Sequence, residues 1–196
     1  RFAALHPEVR FELRSTSPGP KTLILDCLNR REQPELCASK VSLTASRFAS
    51  LLGRPLSHVA HAYESVFASN DSDGQVALGT VAVFIGRPDV LHRSKSDWVV
   101  LGLNGRCVDL GEIRQEALQA FSRTLPLRRC PVLLVDLRLK PSVIDWNVAA
   151  NKSTAKLKNG VAENASEAVR RAIQACFASH SSTPDFTNIA NQSDGF

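Results

Sequence analysis

The chain has 196 residues, 43% of them hydrophobic and 22% charged, with a formal net charge of +5. That size and composition suit one ordinary globular domain and exclude collagen-like, coiled-coil and wholly disordered chains, and no run approaches the ~18–20 apolar residues of a membrane span. The charge is uneven: residues 87–158 carry thirteen Lys and Arg against seven Asp and Glu, a net of +6, which suits a polyanion such as DNA, RNA or a nucleotide.

In chain order, residues 2–5 read as the last turn of a helix, stopped by His6-Pro7 because the residue before proline is pushed out of the α region. Val9, Phe11 and Leu13 alternate with Arg10, Glu12 and Arg14, a period of two that predicts a half-buried strand. A Ser/Pro/Gly turn over 15–20 precedes a second strand over 22–28. Thr44 is the expected N-cap of a helix through Phe48, Leu51 and Leu52, with Gly53 as its stop before Pro55. Residues 58–67 and 75–85 read as a hairpin around the polar tip 69–74. A turn at 86–89 leads to a strand over 97–103. Residues 109–123 are helical, with Ile113, Ala117, Ala120 and Phe121 on one face and Asp109 as cap, Glu112 lying three residues on. The run Val132-Leu133-Leu134-Val135 predicts a core strand over 131–139. Residues 140–158 are irregular and basic. Ala165, Ala168, Val169, Ala172, Ile173 and Cys176 line one side of a helix over 163–177, and the polar end 179–196 is expected to be disordered. About six strands, mostly in meander order, and three helices make an α+β chain: a sheet with helices on one face.

The familiar chemistry is missing. His6, His58, His61, His92 and His180 show no metal-ligand spacing, and no phosphate-loop or serine-nucleophile motif occurs. Asp71-Ser72-Asp73-Gly74 opens like a calcium loop but lacks the Glu at its twelfth position, so it reads as a hairpin tip and no metal site is expected. Five cysteines without a Cys-x-x-Cys pair read as reduced, mostly buried structural thiols in a reducing compartment. A chain that opens on Arg1 and holds no Met reads as processed or cut from a longer one, and no charged-then-apolar leader suggests secretion.

Two segments remain. Trp98 to Asp109 runs W-V-V-L-G-L-N-G-R-C-V-D, a strand ending in the tight-turn dipeptide Asn104-Gly105 with Arg106 at the exposed corner. Val143 to Lys158 runs V-I-D-W-N-V-A-A-N-K-S-T-A-K-L-K and presents Lys152 on a loop after a core strand. Alone, the first is a turn before a helix and the second a solvated lysine. In order they are strand, Asn-Gly-Arg turn, amphipathic helix and core strand, then Pro141, Ile144-Asp145, Asn147-Val148 and Lys152. This series closely resembles the second domain of the MutL family of DNA mismatch repair proteins, where VNGR, a helix and a strand lead to P-x-x-VDVNVHPxK. His6-Pro7-Glu8-Val9-Arg10-Phe11 and residues 47–53 resemble the family's first strand and helix, so the domain is expected to span 1–178. Trp146 within the second motif and Ser96-Asp97-Trp98-Val99 before the first resemble a cyanobacterial branch. The family's His-Pro before the lysine is replaced by Ala149-Ala150-Asn151, with the spacing to Lys152 kept and the stiffness of proline lost.

The resemblance implies the left-handed β-α-β fold shared with the second domain of ribosomal protein five of the small subunit, here with a mixed or antiparallel sheet. In GHKL ATPases this domain follows the nucleotide-binding domain and acts as its transducer. Lys152 would then reach the γ-phosphate of ATP, bound with magnesium by the ATPase domain upstream in the same parent chain, and promote hydrolysis. Asn104, Gly105, Asp145 and Asn147 would shape the loop. Arg106, Arg123, Arg128 and Arg129 would contact DNA phosphates without regard to sequence, because no recognition helix or stacking platform is apparent. The parent would be a homodimer that meets a MutS-like mismatch recognition protein in the cytoplasm, at the nucleoid and away from membranes. None of the family's ATPase motifs occurs in these residues, so this fragment alone is not expected to hydrolyse ATP. Two other readings stand beside this one: the same fold as a nucleic-acid-binding domain without nucleotide coupling, and an unrelated enzyme or interaction domain.

Overall fold

The computed structural model describes residues 1–15, 21–25, 40–67, 76–148, 153–158 and 160–179. Along the chain come α1 (Phe2–Leu5), β1 (Phe11–Ser15), β2 (Lys21–Leu25), α2 (Lys40–Leu51), β3 (Val59–Phe67), β4 (Ala77–Gly86), β5 (His92–Arg93) and β6 (Val99–Leu103). Then follow β7 (Arg106–Cys107), α3 (Gly111–Ala120), β8 (Cys130–Pro131), β9 (Leu133–Leu139), β10 (Ile144–Asp145), β11 (Lys156–Leu157) and α4 (Val161–Ala178).

The apolar run before Asp136 lacks polar alternation, as a strand covered on both faces requires, and β9 is accordingly the middle strand of a five-stranded sheet, β3-β4-β9-β6-β7. β4 pairs antiparallel with both β3 and β9, whereas β6 runs parallel to β9. Parallel neighbours need a long crossover, and α3 supplies it between β6 and β9. Alternate residues then serve two cores. Val81, Val83, Ile85, Leu133, Val135 and Leu137 face α3 and α4, while Ala82, Phe84, Val100 and Leu134 face α1 and α2. The alanines of α4 let that helix lie close on the sheet, and Phe177 meets Phe121 edge-on at 5.3 Å. On the other face Leu5 lies on Gly102, where a Cβ would stand 2.5 Å from Leu5 Cδ2.

The α+β class and the mixed sheet are as expected, with four corrections. The strands are not in meander order, because β9 inserts between β4 and β6. α3 and α4 share one face, but α1 and α2 cover part of the other. Thr44 is no cap: α2 begins four residues earlier, and the Thr44 hydroxyl donates to the Lys40 carbonyl inside the helix. Asp109 does not cap α3 either; Leu110 holds the N-cap position, and the Asp109 N–H donates to the Ser153 carbonyl instead. Gly53 does end α2, at φ +61, with the Gly53 and Arg54 N–H groups donating to the Ser50 and Ala49 carbonyls in the left-handed closure that glycine favours. The first strand forms, but Leu13 on it is exposed. The hairpin tip 69–74 and the tail from 180 on lie outside the described residues.

Candidate functional site

β6 ends at Leu103, opposite Leu137, and β9 runs two residues further to Leu139. From Leu103 the chain turns through Asn104 (φ 49) and Gly105 (φ 84) into β7. Two successive left-handed residues define the hairpin turn that Asn-Gly favours. Asn104 continues the ladder that its backbone leaves. Its N–H donates to the Leu137 carbonyl at 2.8 Å. Its side-chain Nδ2 donates to the Leu139 carbonyl at 2.9 Å, and its Oδ1 accepts from the Leu139 N–H at 2.9 Å. The side-chain amide thus stands in for one more peptide unit of β6. The Gly105 carbonyl lies 2.8 Å from His6 Nε2, which ties the turn to the end of α1.

The second segment arrives at the same end. A 3-10 turn at Pro141–Val143 leads into β10, which pairs with β11, Asp145 opposite Lys156. Asp145 Oδ1 accepts from the Asn147 N–H at 2.9 Å, an Asx turn that starts the loop. On the far side, Ser153 is held by the Asp109 N–H at 2.8 Å. Residues 149–152, Lys152 among them, lie outside the described residues, between these two anchored flanks. The Arg106 guanidinium sits over the Trp146 ring, 5.4 Å from its centroid, a contact worth about 0.5–1 kcal/mol at an exposed site. Residue type alone did not mark Trp146 as this platform.

The four arginines expected to act together do not meet. Arg106 lies at the end of the sheet where β6 and β9 finish. Arg123, Arg128 and Arg129 lie in the connection from α3 to β8, at the end where β9 begins. The seven residues of β9 separate the two groups, roughly 3.3 Å each. All three are exposed, and Arg123 (φ 71) and Arg128 (φ 59) are held in the left-handed region, at a cost of about 1–2 kcal/mol for a non-glycine residue.

An acid–base pair missing from the sequence reading joins the first end. Asp136 is 7% exposed, on the α1-side face of β9, and binds Arg138 Nη2 at 2.9 Å. The alternation of β9, carried through Leu134, places both residues on that face. Cys27 and Cys37 lie outside the described residues; burial pushes Cys176 up to about 12, and burial also raises Cys107 against the pull of the N-terminal amine and Arg1. Cys107, Cys130 and Cys176 are free. No three His, Cys, Asp or Glu among the described residues could hold a metal ion, and none of their helices is long and apolar enough to cross a membrane.

The chain is 49% identical over 73 residues to the DNA mismatch repair protein MutL of Rippkaea orientalis, a match spanning 37% of this chain and 13% of that protein. It is 45% identical over 67 residues to MutL of Nostoc sp., spanning 34% of this chain and 12% of the relative. MutL of Exiguobacterium sibiricum is 31% identical over 105 residues, spanning 50% and 17%. The matched segments are thus a small part of each relative's length. A crystal structure of the N-terminal domain of a DNA repair protein superposes with a TM-score of 0.64, at 16% identity, over 93% of this chain and 52% of that one; this likeness concerns the fold. The family model for the C-terminal domain of DNA mismatch repair proteins matches residues 58–178, which run from the start of β3 to the end of α4 and include both motif segments, and the chain belongs to that family.

Proposed function

We propose that this chain is the transducer domain of a MutL-type mismatch repair ATPase. Lys152 supplies an ammonium to the γ-phosphate of ATP bound by an upstream ATPase domain of the parent, and a basic surface binds DNA without regard to sequence. What supports the reading is the anchoring of both flanks of the lysine loop at the end of β6 and β9: Asp145 holds Asn147 on one side, and Asp109 holds Ser153 on the other. A lysine is a flexible point charge suited to a phosphate, and one that meets only the γ-phosphate favours the ATP state over the ADP state. The magnesium would be held by the upstream domain, and this chain's contribution would be the lysine. In the parent the same domain would work within a homodimer, beside a MutS-like partner, in the cytoplasm at the nucleoid.

The test is made in the intact parent. Lys152→Ala should lower ATP turnover about 10²–10³-fold, the usual loss of one preorganised charge-stabilising group, and should weaken ATP binding more than ADP binding. Lys156→Ala and Lys158→Ala, beyond the Ser153 anchor, should each matter far less. Equal losses at all three would mean a diffuse basic patch. An unchanged rate for Lys152→Ala would leave the alternative, a nucleic-acid-binding domain without nucleotide coupling.

A further inference from the structure

We propose that the α3–β8 connection, residues 121–129, is the surface through which this domain meets duplex DNA, with Arg123, Arg128 and Arg129 on phosphates and Leu127 against the deoxyribose edge between them. The inference rests on the DNA-binding reading above and narrows it to one end of the sheet.

Charge separates the two ends. Residues 87–98 and 121–132, which gather where β9 begins, hold six Lys and Arg against two Asp. Those two acids are already engaged, Asp89 by Arg87 at 2.6 Å and Asp97 by Arg93 at 3.3 Å. Arg123, Arg128 and Arg129 make no ion pair with the described residues. At the opposite end two of the arginines are occupied, Arg106 on Trp146 and Arg138 on Asp136. The groove between α3 and α4 is lined by Glu112, Glu116, Glu163 and Glu167 and repels a polyanion, which favours approach from the α3–β8 end, where three exposed arginines gather.

The loop is also built to present side chains. Arg123 and Arg128 hold guanidinium groups at left-handed positions where glycine would be the relaxed residue. Strain of that kind persists where the surrounding structure holds it and gathers at sites of function. Here the Thr124 hydroxyl on the Phe121 carbonyl, the Arg129 N–H on the Pro126 carbonyl and the β5–β8 pairing hold the loop. Leu127, at its tip, is 89% exposed. A leucine set among guanidiniums matches a sugar-phosphate edge, which alternates an apolar deoxyribose with a charge, and leucine is among the side chains that enter the minor groove.

The experiment is fluorescence anisotropy of the purified chain with a labelled duplex of random sequence, over a range of salt. Combined Arg123→Glu, Arg128→Glu and Arg129→Glu should weaken binding more than tenfold and flatten the salt slope by about 2.7, at about 0.9 per phosphate contact. Replacing the three by lysine should keep the slope. Leu127→Ser should weaken binding and leave the slope unchanged, since it removes a sugar contact and no charge. Arg128→Gly, which relieves the left-handed backbone, should fold as well as the parent and still lose affinity, which separates a binding defect from a folding one. No salt-dependent binding by the unaltered chain would overturn the DNA reading itself. Salt-dependent binding that survives the triple substitution but is lost in Arg106→Glu would keep that reading and overturn the assignment of this loop. A chain that ignores DNA yet captures an acidic protein through Leu127 would overturn both.

Discussion

Asn104→Ala is the sharpest test of how the candidate site is held. The substitution removes two hydrogen bonds, Nδ2 to the Leu139 carbonyl and the Leu139 N–H to Oδ1, each 2.9 Å and part-buried. A neutral bond contributes about 1 kcal/mol, and the partner groups left behind on Leu139 add to the loss where water cannot reach them. Alanine must also adopt φ +49, which costs about 1 kcal/mol that asparagine largely avoids. The expected destabilisation is therefore about 2–4 kcal/mol. Asn104→Gly relieves the backbone and loses both bonds, for about 2 kcal/mol. Asn104→Asp can still accept from the Leu139 N–H but sets a carboxylate against the Leu139 carbonyl, and should fall near the glycine variant. The assay is urea unfolding followed by tryptophan fluorescence, Trp98 and Trp146 being the only reporters. If Asn104→Ala and Asn104→Gly both unfold within about 0.5 kcal/mol of the unaltered chain, the range of ordinary surface substitutions, the amide does not extend the β6 ladder and the account of the turn is wrong.

Two further outcomes are expected. Gly102→Ala drives a methyl into Leu5, whose Cδ2 lies 2.5 Å from the Cβ position; it should cost about 1–3 kcal/mol of overpacking, and Leu5→Ala should cost less in that background than alone, so additive losses in a double-mutant cycle would deny the contact. His61 is exposed on β3, but its ring lies against Phe84 at 6.0 Å, and this partial desolvation sets the imidazole below its ordinary 6.5. The unfolded chain therefore binds that proton more readily than the folded one, so the contribution is complete above about pH 6.5 and is lost as pH falls through the lowered folded value. Thermal midpoints of the unaltered chain and His61→Phe, measured from about pH 8 to about pH 5, should diverge toward acid with the variant losing less; parallel curves would show that His61 does not titrate with folding.

Local chemistry was legible in the residues themselves. The Asn104-Gly105 turn follows from the two side chains that best tolerate positive φ, and the α4 stripe follows from a period that needs no partner to be seen. The core position of β9 was readable from its apolar run, though not that helices cover both its faces. Thr44 and Asp109 misled because a capping side chain is a local preference that a longer α2 and a backbone bond to Ser153 displaced. Strand order was not readable, since pairing of β9 between β4 and β6 depends on which faces the crossover helix must cover, and that is settled only when the whole sheet forms. The same holds at the site. The motif order brought Asn104, Asp145 and Asn147 to notice, but the bond from Asn104 to Leu139, 35 residues on, and the seating of Arg106 on Trp146 arise from the parallel alignment of β6 with β9. The basic stretch reads as one block along the chain. The fold divides it between two ends of the sheet, because a strand carries its two termini apart by its own length and charge spacing in sequence holds no record of that direction.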